Sequence, residues 1–240
     1  SLPCEKLTGY WFEDEPMQQV KQLAKGKLAT DAALEGATSV GAEMWKLRAE
    51  LTPPEVERFQ ELGELAASAM TETILEAARG DTEWELAAVL SGMLMAEGVL
   101  PVVTLVASDE RINKYRHPLP AMKEIEHYAM LVLCAKWRGL IASMTRFVAF
   151  DKLPAALEKK NQAVANIDAT FILNTCPGAS AGDIFARAVE VYEATGYAEE
   201  WKLHHQGGAC GYAGRDWKAT PGCDFKVLPN QAYAWNPSIT

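Results

Sequence analysis

The chain has 240 residues, of which 49% are hydrophobic, and it carries a formal net charge of −9. This length is enough for one large domain or two small ones with a buried core. No patch is basic enough to make nucleic acid the main partner, and no stretch approaches the length of a membrane span. The five cysteines include no Cys-x-x-Cys pair, which is typical of a reducing compartment. We therefore expect a soluble cytoplasmic protein.

Two helices are predicted after a mixed N-terminal region. Residues 1–50 combine polar, helix-like stretches with a short strand-and-turn pattern at residues 26–31. Thr52 and the two prolines after it form a helix start, because threonine can cap a helix and proline fits its first turn. Apolar residues at helical spacing then predict helices over about residues 53–80 and 81–98.

The remainder of the chain alternates between strand-like and helical patterns. Three apolar runs predict strands, and Trp137-Arg138-Gly139 predicts a hairpin between the second and the third. Two helices follow, and strands return after Trp201. The predicted strands cover residues 102–107, 128–136 and 140–150, and the predicted helices cover about 153–174 and 180–195.

This order of elements indicates the fold class. Two helix pairs, each followed by strands, predict an α+β domain whose two halves are related by an internal two-fold repeat.

A stretch rich in glycine and histidine, residues 204–212, stands out from the rest. It contains two of the four histidines in the chain, His204 and His205. Glycine lets a ligand or another chain segment approach the backbone, and paired imidazoles suit proton transfer or metal binding. The alternative is a tight turn beside two structural histidines. In a strand the two side chains would point to opposite faces, so only one, with His204 favoured, would face a cleft.

Four motifs resemble those of the pita-bread family that contains creatinase, aminopeptidase P, prolidase and methionine aminopeptidase. Gly139 followed by Thr145-Arg146 resembles the family's hairpin. His204-x-x-Gly207-x-x-x-Gly211 resembles its histidine strand, and Asn236-Pro237 its Glu-Pro pair. His117 lies where the family places a substrate-facing histidine.

The resemblance implies a domain organisation as well as a fold. Residues 51–240 would form the pita-bread catalytic-like domain, with two pseudo-symmetric halves that each contain a helix pair and an antiparallel sheet. Residues 1–50 would be the tail of a creatinase-type N-terminal domain and its linker. The family's last strands, with a further glutamate, would lie beyond Thr240. Creatinase-type enzymes form homodimers, and the resemblance implies one here.

Peptidases of this family hold two divalent metal ions with aspartate, histidine and glutamate ligands. Laid onto this chain, four of the ligand positions fall on residues that carry no charge. These positions are Val132, Ser143, Gly208 and Asn236. The resemblance therefore implies a divergent branch with a degenerate metal site and no cofactor.

A creatinase-like reaction is the function that this pattern favours. His117 and His204 would be the catalytic residues, with His117 as acid and base in the metal-independent hydrolysis of a C–N bond. Arg146, Arg215 and Asn236 would bind a small-molecule or peptide substrate. One alternative is a catalytically inactive pita-bread module that binds peptides. The other is a metal-dependent Xaa-Pro aminopeptidase that uses a divalent metal such as Mn or Co.

Overall fold

The computed structural model describes residues 8–10, 12, 16–31 and 33–240. The chain divides into two compact units, Ser1–Leu47 and Arg48–Thr240. In the first unit, helix α1 (Pro16–Leu23) precedes two short parallel strands, β1 (Ala29–Thr30) and β2 (Thr38–Ser39). The predicted strand-and-turn pattern corresponds to β1. The assignment of residues 1–50 to the tail of an N-terminal domain stays a prediction, and residues 1–7, 11, 13–15 and 32 lie outside the described residues.

Helix α2 (Gly41–Arg48) leads into the first helix pair, α3 (Pro53–Glu76) and α4 (Glu83–Ala96). The predicted start of α3 is confirmed. Thr52 caps it in a capping box, in which the Thr52 amide donates to Glu55 Oε2 across 2.8 Å. The helix ends four residues before the predicted Gly80, because the backbone becomes extended at Ala77 (ψ 137°).

Three antiparallel strands pack against this helix pair, in the order β3 (Leu100–Ser108), β4 (Tyr128–Trp137) and β5 (Leu140–Ala149). The predicted hairpin is confirmed: Arg138 and Gly139 form its two-residue loop, both with positive φ, as a type I′ turn requires. Alternate residues of β4 are buried in the core under α3 and α4, namely Leu131, Leu133 and Ala135. The opposite face of this sheet carries Val132, Cys134, Ser143 and Thr145.

The second half repeats this plan with a smaller sheet. Helices α5 (Ala155–Asn174) and α6 (Ala181–Ala194) pair with each other, and strands β6 (Gly207–Cys210) and β7 (Ala232–Trp235) are antiparallel. Its core contains Phe171, Ile184, Phe185 and Tyr192. The Ile141 amide donates to the Gly211 carbonyl across 2.8 Å and so links β5 to the end of β6. The expected α+β fold with two helix-pair-plus-sheet halves is confirmed.

The segment after Trp201 differs from its prediction as a strand. Residues Glu200–Leu203 form a short 3₁₀ helix, and β6 begins only at Gly207. Hydrogen bonds from Gln206 Nε2 to the carbonyls of Trp201 (3.2 Å) and His204 (2.8 Å) hold the intervening turn. These side-chain bonds take the place of the ladder bonds that a strand would make. His204 and His205 therefore precede the strand.

Within the described ranges, no helix is both long enough and apolar enough to span a membrane.

Candidate functional site

Two histidines that are 87 residues apart in sequence meet at the junction of a loop and a turn. His117 lies in the loop between β3 and β4, and His204 lies just after the 3₁₀ helix. Their Nε2 atoms are 3.0 Å apart, and their ring centroids are 4.8 Å apart. His117 is exposed, whereas His204 is partly buried. The structure thus brings together the two residues that the sequence nominated as catalytic.

Two buried carboxylates hold the loop that carries His117. Asp109, at φ 50°, accepts hydrogen bonds from the amides of Glu126, His127 and Tyr128 at 3.0, 2.9 and 3.2 Å. These bonds bring the end of the loop back beside its beginning. Although burial raises the pKa of Asp109, the hydrogen bonds outweigh this effect and the net pKa is lowered. The second carboxylate is Glu83, at the first turn of α4.

Glu83 is fully buried and satisfied by four donors from the same loop region. Its Oε1 accepts from the Ser108 amide and hydroxyl and from Arg111 Nε at 2.8, 2.9 and 3.0 Å. Its Oε2 accepts from the Ala121 amide at 2.9 Å. A buried charge with this many partners fixes the loop to α4, because leaving any of the donors unpaired would be costly.

An ion pair joins the loop to the segment that carries His204. Arg116, next to His117, donates from Nη2 to Glu200 Oε2 across 3.1 Å, and its Nη1 donates to Ser238 Oγ. Glu200 lies in the 3₁₀ helix and also accepts from the Thr240 amide at 3.1 Å. Loop, 3₁₀ helix and C-terminal segment therefore meet at one guanidinium group.

A buried tyrosine extends this network toward His204. The Tyr192 hydroxyl donates to Gln206 Oε1 across 2.8 Å and accepts from the Ser238 amide at 3.0 Å. Gln206 in turn donates to the His204 carbonyl. Burial is the main reason why the pKa of Tyr192 is raised to about 12, so this hydroxyl remains a neutral bridge.

The expectation that His204 and His205 point to opposite faces is wrong. Their ring centroids are 4.2 Å apart with an interplanar angle of 31°, because the backbone here is a turn and not a strand. Burial, helped by the charges of His204 and Lys218, lowers the pKa of His205 to about 4. Burial and the charges of His117 and Arg116 also lower the pKa of His204. Both rings are thus held in their neutral form near pH 7.

Arg215 is a partly buried guanidinium. Its Nη1 donates to the Gly214 carbonyl, while its buried Nε has no hydrogen-bond partner in the part of the chain that the structure describes. No described carboxylate pairs with Arg215; its neighbour Asp216 pairs with Arg48 at 2.8 Å. Burial lowers the pKa of Arg215, and its charge partly offsets the rise that burial gives the pKa of Cys210. Arg215 therefore lies near Cys210 of β6 and Cys134 of β4.

The other two nominated substrate-binding residues lie in different surroundings. Arg146 is exposed and pairs in register with Leu131, so it belongs to the helix-covered side of the sheet and not to the side of Val132 and Ser143. The structure does not bring it to the histidines. The Asn236 amide donates to the Gln206 carbonyl across 2.9 Å. Asn236 therefore lies beside Gln206, which is two residues after His204.

Residues 57–240 match the model of metallopeptidase family M24. The chain belongs to this family. A search of curated protein sequences finds no significant match.

Solved structures of family enzymes share the fold. A prolidase from Pyrococcus furiosus superposes with a TM-score of 0.78 at 18% identity, over 92% of this chain and 74% of that one. A dipeptidase from Pyrococcus horikoshii OT3 gives 0.80 at 20% identity, over 92% and 68%. A methionine aminopeptidase from Rickettsia prowazekii gives 0.62 at 14% identity, over 76% and 78%.

The residues at the four positions nominated for M24 metal ligands do not fit a dinuclear centre. Val132 and Gly208 offer no side-chain donor, and Ser143 Oγ is already directed at Cys134 Sγ, 3.2 Å away. A Cβ atom at Gly208 would lie 2.2 Å from the Trp217 carbonyl oxygen, so the backbone leaves no room for a histidine there. Across the described residues, no group of three or more His, Cys, Asp or Glu side chains is arranged to hold a metal ion.

Sequence reasoning missed the residues that hold this site together. Arg116, Glu200 and Tyr192 match no motif, since each acts through a partner distant in sequence, and Gln206 looks like any strand residue. The sequence does indicate a carboxylate at Glu83, because acidic residues are common in the first turn of a helix. It does not indicate that this carboxylate is buried.

Proposed function

We propose that this M24 protein hydrolyses a C–N bond with the His117–His204 pair as its acid and base, and without the two-metal centre of the family's peptidases. The observation that carries the proposal is the 3.0 Å separation of the two Nε2 atoms. An imidazole pair at that distance can pass a proton between its members. The substrate class is a small amide, peptide or other C–N compound that bears a carboxylate or guanidino group.

The protonation states of the pair suit this chemistry. Because burial and neighbouring charges lower the pKa of His204, its ring is available as a base at neutral pH. His117 is exposed and can reach an incoming substrate. In the proposed reaction an Nε2 atom takes a proton from water as the water oxygen attacks the substrate carbon. The C–N bond then breaks, and the leaving nitrogen receives that proton.

In this proposal Arg215 supplies fixed positive charge to the cleft in place of metal ions. Its guanidinium lies near Cys134, which pairs in register with Ser143. A guanidinium with no carboxylate partner among the described residues favours an anionic ligand, because the ligand would supply the missing countercharge. This supports a carboxylate in the substrate.

The test is a hydrolysis screen under conditions that separate the three candidate functions. Purified protein is incubated with N-substituted glycines, guanidino acids and Xaa-Pro dipeptides, with EDTA or with added Mn²⁺ or Co²⁺. We expect hydrolysis in EDTA, with kcat lowered about a hundredfold or more in His117→Gln and His204→Gln. His127→Gln is the matched control. His127 Nδ1 lies 2.9 Å from Asp151 Oδ2, and His127 is not part of the His117–His204 pair.

Two results would contradict the proposal. Hydrolysis that depends on Mn²⁺ or Co²⁺ would support the metal-dependent Xaa-Pro aminopeptidase. Binding of these compounds without turnover would support the inactive peptide-binding module.

A further inference from the structure

The segment that follows β6 carries two cations, Arg215 and Lys218, which together form the cation pair. Among the described residues, no carboxylate pairs with either of them. The acidic residue between them, Asp216, is already paired with Arg48 at 2.8 Å. Two positive charges therefore remain without a countercharge in a chain whose formal net charge is −9.

The backbone brings both cations to one face. The Asp216 amide donates to the Ala209 carbonyl across 2.8 Å, and the Ala219 amide donates to the Gly207 carbonyl across 2.9 Å. Three steps along residues 216–219 thus lie beside two steps along β6, which is the residue count of a β-bulge. In a regular strand, residues three apart point to opposite faces. The extra residue reverses this, so the cation pair points to a single face.

The cation pair lies beside the histidine rings. The charges of Lys218 and Arg215 both contribute to the lowered pKa of His205, and the charge of Lys218 contributes to that of His204. The main charges that act on these two rings are thus cationic. Lys218 is exposed and Arg215 is partly exposed, so a ligand can reach both from solvent. Such surroundings favour an anion.

We propose that Arg215 and Lys218 form a two-cation subsite that selects a dianionic substrate, with either two carboxylates or one phosphate group. A monoanion would neutralise one cation and leave the other without a partner, whereas a dianion supplies both countercharges. Two steps along a strand cover about 6.6 Å, a span over which side chains as long as arginine and lysine can converge on one ligand.

This inference rests on the proposed hydrolysis for the reaction and narrows its substrate. Arg215 alone is compatible with any carboxylate. The second cation, Lys218, adds a requirement for further negative charge. The same two charges repel a guanidinium, so guanidino compounds should be poor ligands of this site.

The experiment measures the binding of simple anions and needs no turnover. The full chain is titrated at pH 7.5 with inorganic phosphate, succinate or acetate, and binding is measured by calorimetry. Sodium chloride keeps the ionic strength constant, so that general screening does not differ between the titrations. The four histidines give four imidazole Hε1 signals, which NMR follows in parallel. Phosphate and succinate represent the two kinds of dianion, and acetate is the monoanion.

We expect phosphate or succinate to bind about tenfold more tightly than acetate, and to shift the His205 signal but not the His127 signal. The dianion that binds more tightly identifies the acid group of the substrate. Lys218→Met and Arg215→Met should each remove most of the preference for dianions, because one cation remains. Since Lys218 is exposed, its variant tests the subsite even if Arg215→Met unfolds.

Lys152→Met is the matched control, because Lys152 is an exposed lysine after the end of β5 and should leave the preference unchanged. Equal affinities of the wild-type protein for dianions and acetate would overturn the inference. So would the absence of dianion binding, or a preference that survives the Lys218 and Arg215 substitutions.

The two proposals fail in different ways. Dianion binding without hydrolysis of any compound would count against the His117–His204 acid and base and leave the subsite intact. Hydrolysis of uncharged amides without dianion binding would count against the subsite alone.

Discussion

Arg116 and Glu200 form an ion pair, with Nη2 and Oε2 3.1 Å apart, that ties the His117 loop to the His204 segment. Both side chains are about four-fifths buried, with relative exposures of 18% and 20%. Because solvent screens such a pair only weakly, it can fix the spacing of the two histidines in a way that a surface ion pair cannot. This ion pair thus links the two segments that carry the histidines.

Glu200→Gln should loosen the histidine pair. Loss of the charge leaves Arg116 partly buried without a counterion, so we expect a loss of about 1–2 kcal/mol in the free energy of unfolding. The NMR signals of His117 and His204 should shift. If the protein hydrolyses a substrate, the decrease in kcat should be larger than the increase in KM. Urea unfolding and imidazole NMR measure these effects.

Glu199→Gln is the matched control for this change. Glu199 pairs with Lys202 at the surface, where its side chain is 77% exposed, so its loss should be close to neutral. Equal effects of the two substitutions would show that the Arg116–Glu200 pair does not position the histidines.

Protonation of His205 should destabilise the fold in mild acid. Its folded pKa of about 4 lies below the usual 6.5, so the folded state binds a proton less readily than the unfolded state. Above pH 6.5 the ring is neutral in both states and contributes nothing. As the pH falls from 6.5 toward 4, only the unfolded chain takes up the proton, and stability is lost.

His205→Asn should remove this dependence. Between pH 7 and pH 5 wild type should lose about 2 kcal/mol more than the variant, as measured by urea unfolding at both values. The same stability difference between the two proteins at pH 7 and at pH 5 would contradict a lowered His205 pKa.

Gly208→Ala should destabilise the second half of the domain. A Cβ atom there would meet the Trp217 carbonyl oxygen at 2.2 Å and the Ala219 amide nitrogen at 3.1 Å, and backbone atoms cannot move aside cheaply. We expect a loss of about 3 kcal/mol in thermal or urea unfolding. Gly63→Ala in α3 is the control: its Cβ meets nothing within 4 Å, and it should gain about 0.5–1 kcal/mol. A neutral Gly208→Ala would show that residues 217–219 can shift.

Glu83→Gln should release the loop that carries His117. In glutamine, an NH₂ donor replaces one of the two acceptor oxygens and would face another donor. At least one of the four hydrogen bonds is therefore lost in a fully buried position. We expect a loss of about 3 kcal/mol and faster amide hydrogen exchange over residues 109–127. Glu97→Gln, exposed at the C-terminus of α4, should change stability by less than about 0.5 kcal/mol. Unchanged exchange in the loop would show that Glu83 does not anchor it.

Local patterns predicted the helices and the hairpin well, since their causes are local. Thr52 and Glu55 are three residues apart and define the start of α3, and Arg138-Gly139 makes its turn with its own backbone. The turn at His204 escaped prediction, because the Gln206 side chain that holds it looks like any strand residue in sequence. Arg146 was predicted to bind substrate, but it pairs with Leu131 and lies on the helix-covered side of the sheet. Counting alternate residues from the hairpin loop would have shown this.

The sequence by itself determined the fold and the family, because capping, periodicity and glycine at strained positions are encoded over a few residues. It also determined that Val132 and Gly208 carry no metal-binding side chain. Only the tertiary structure decided that His117 and His204 face each other across 3.0 Å and that Arg215 is left without a carboxylate among the described residues. The two histidine segments are joined by the Arg116–Glu200 ion pair, which forms only once segments distant in sequence have packed together.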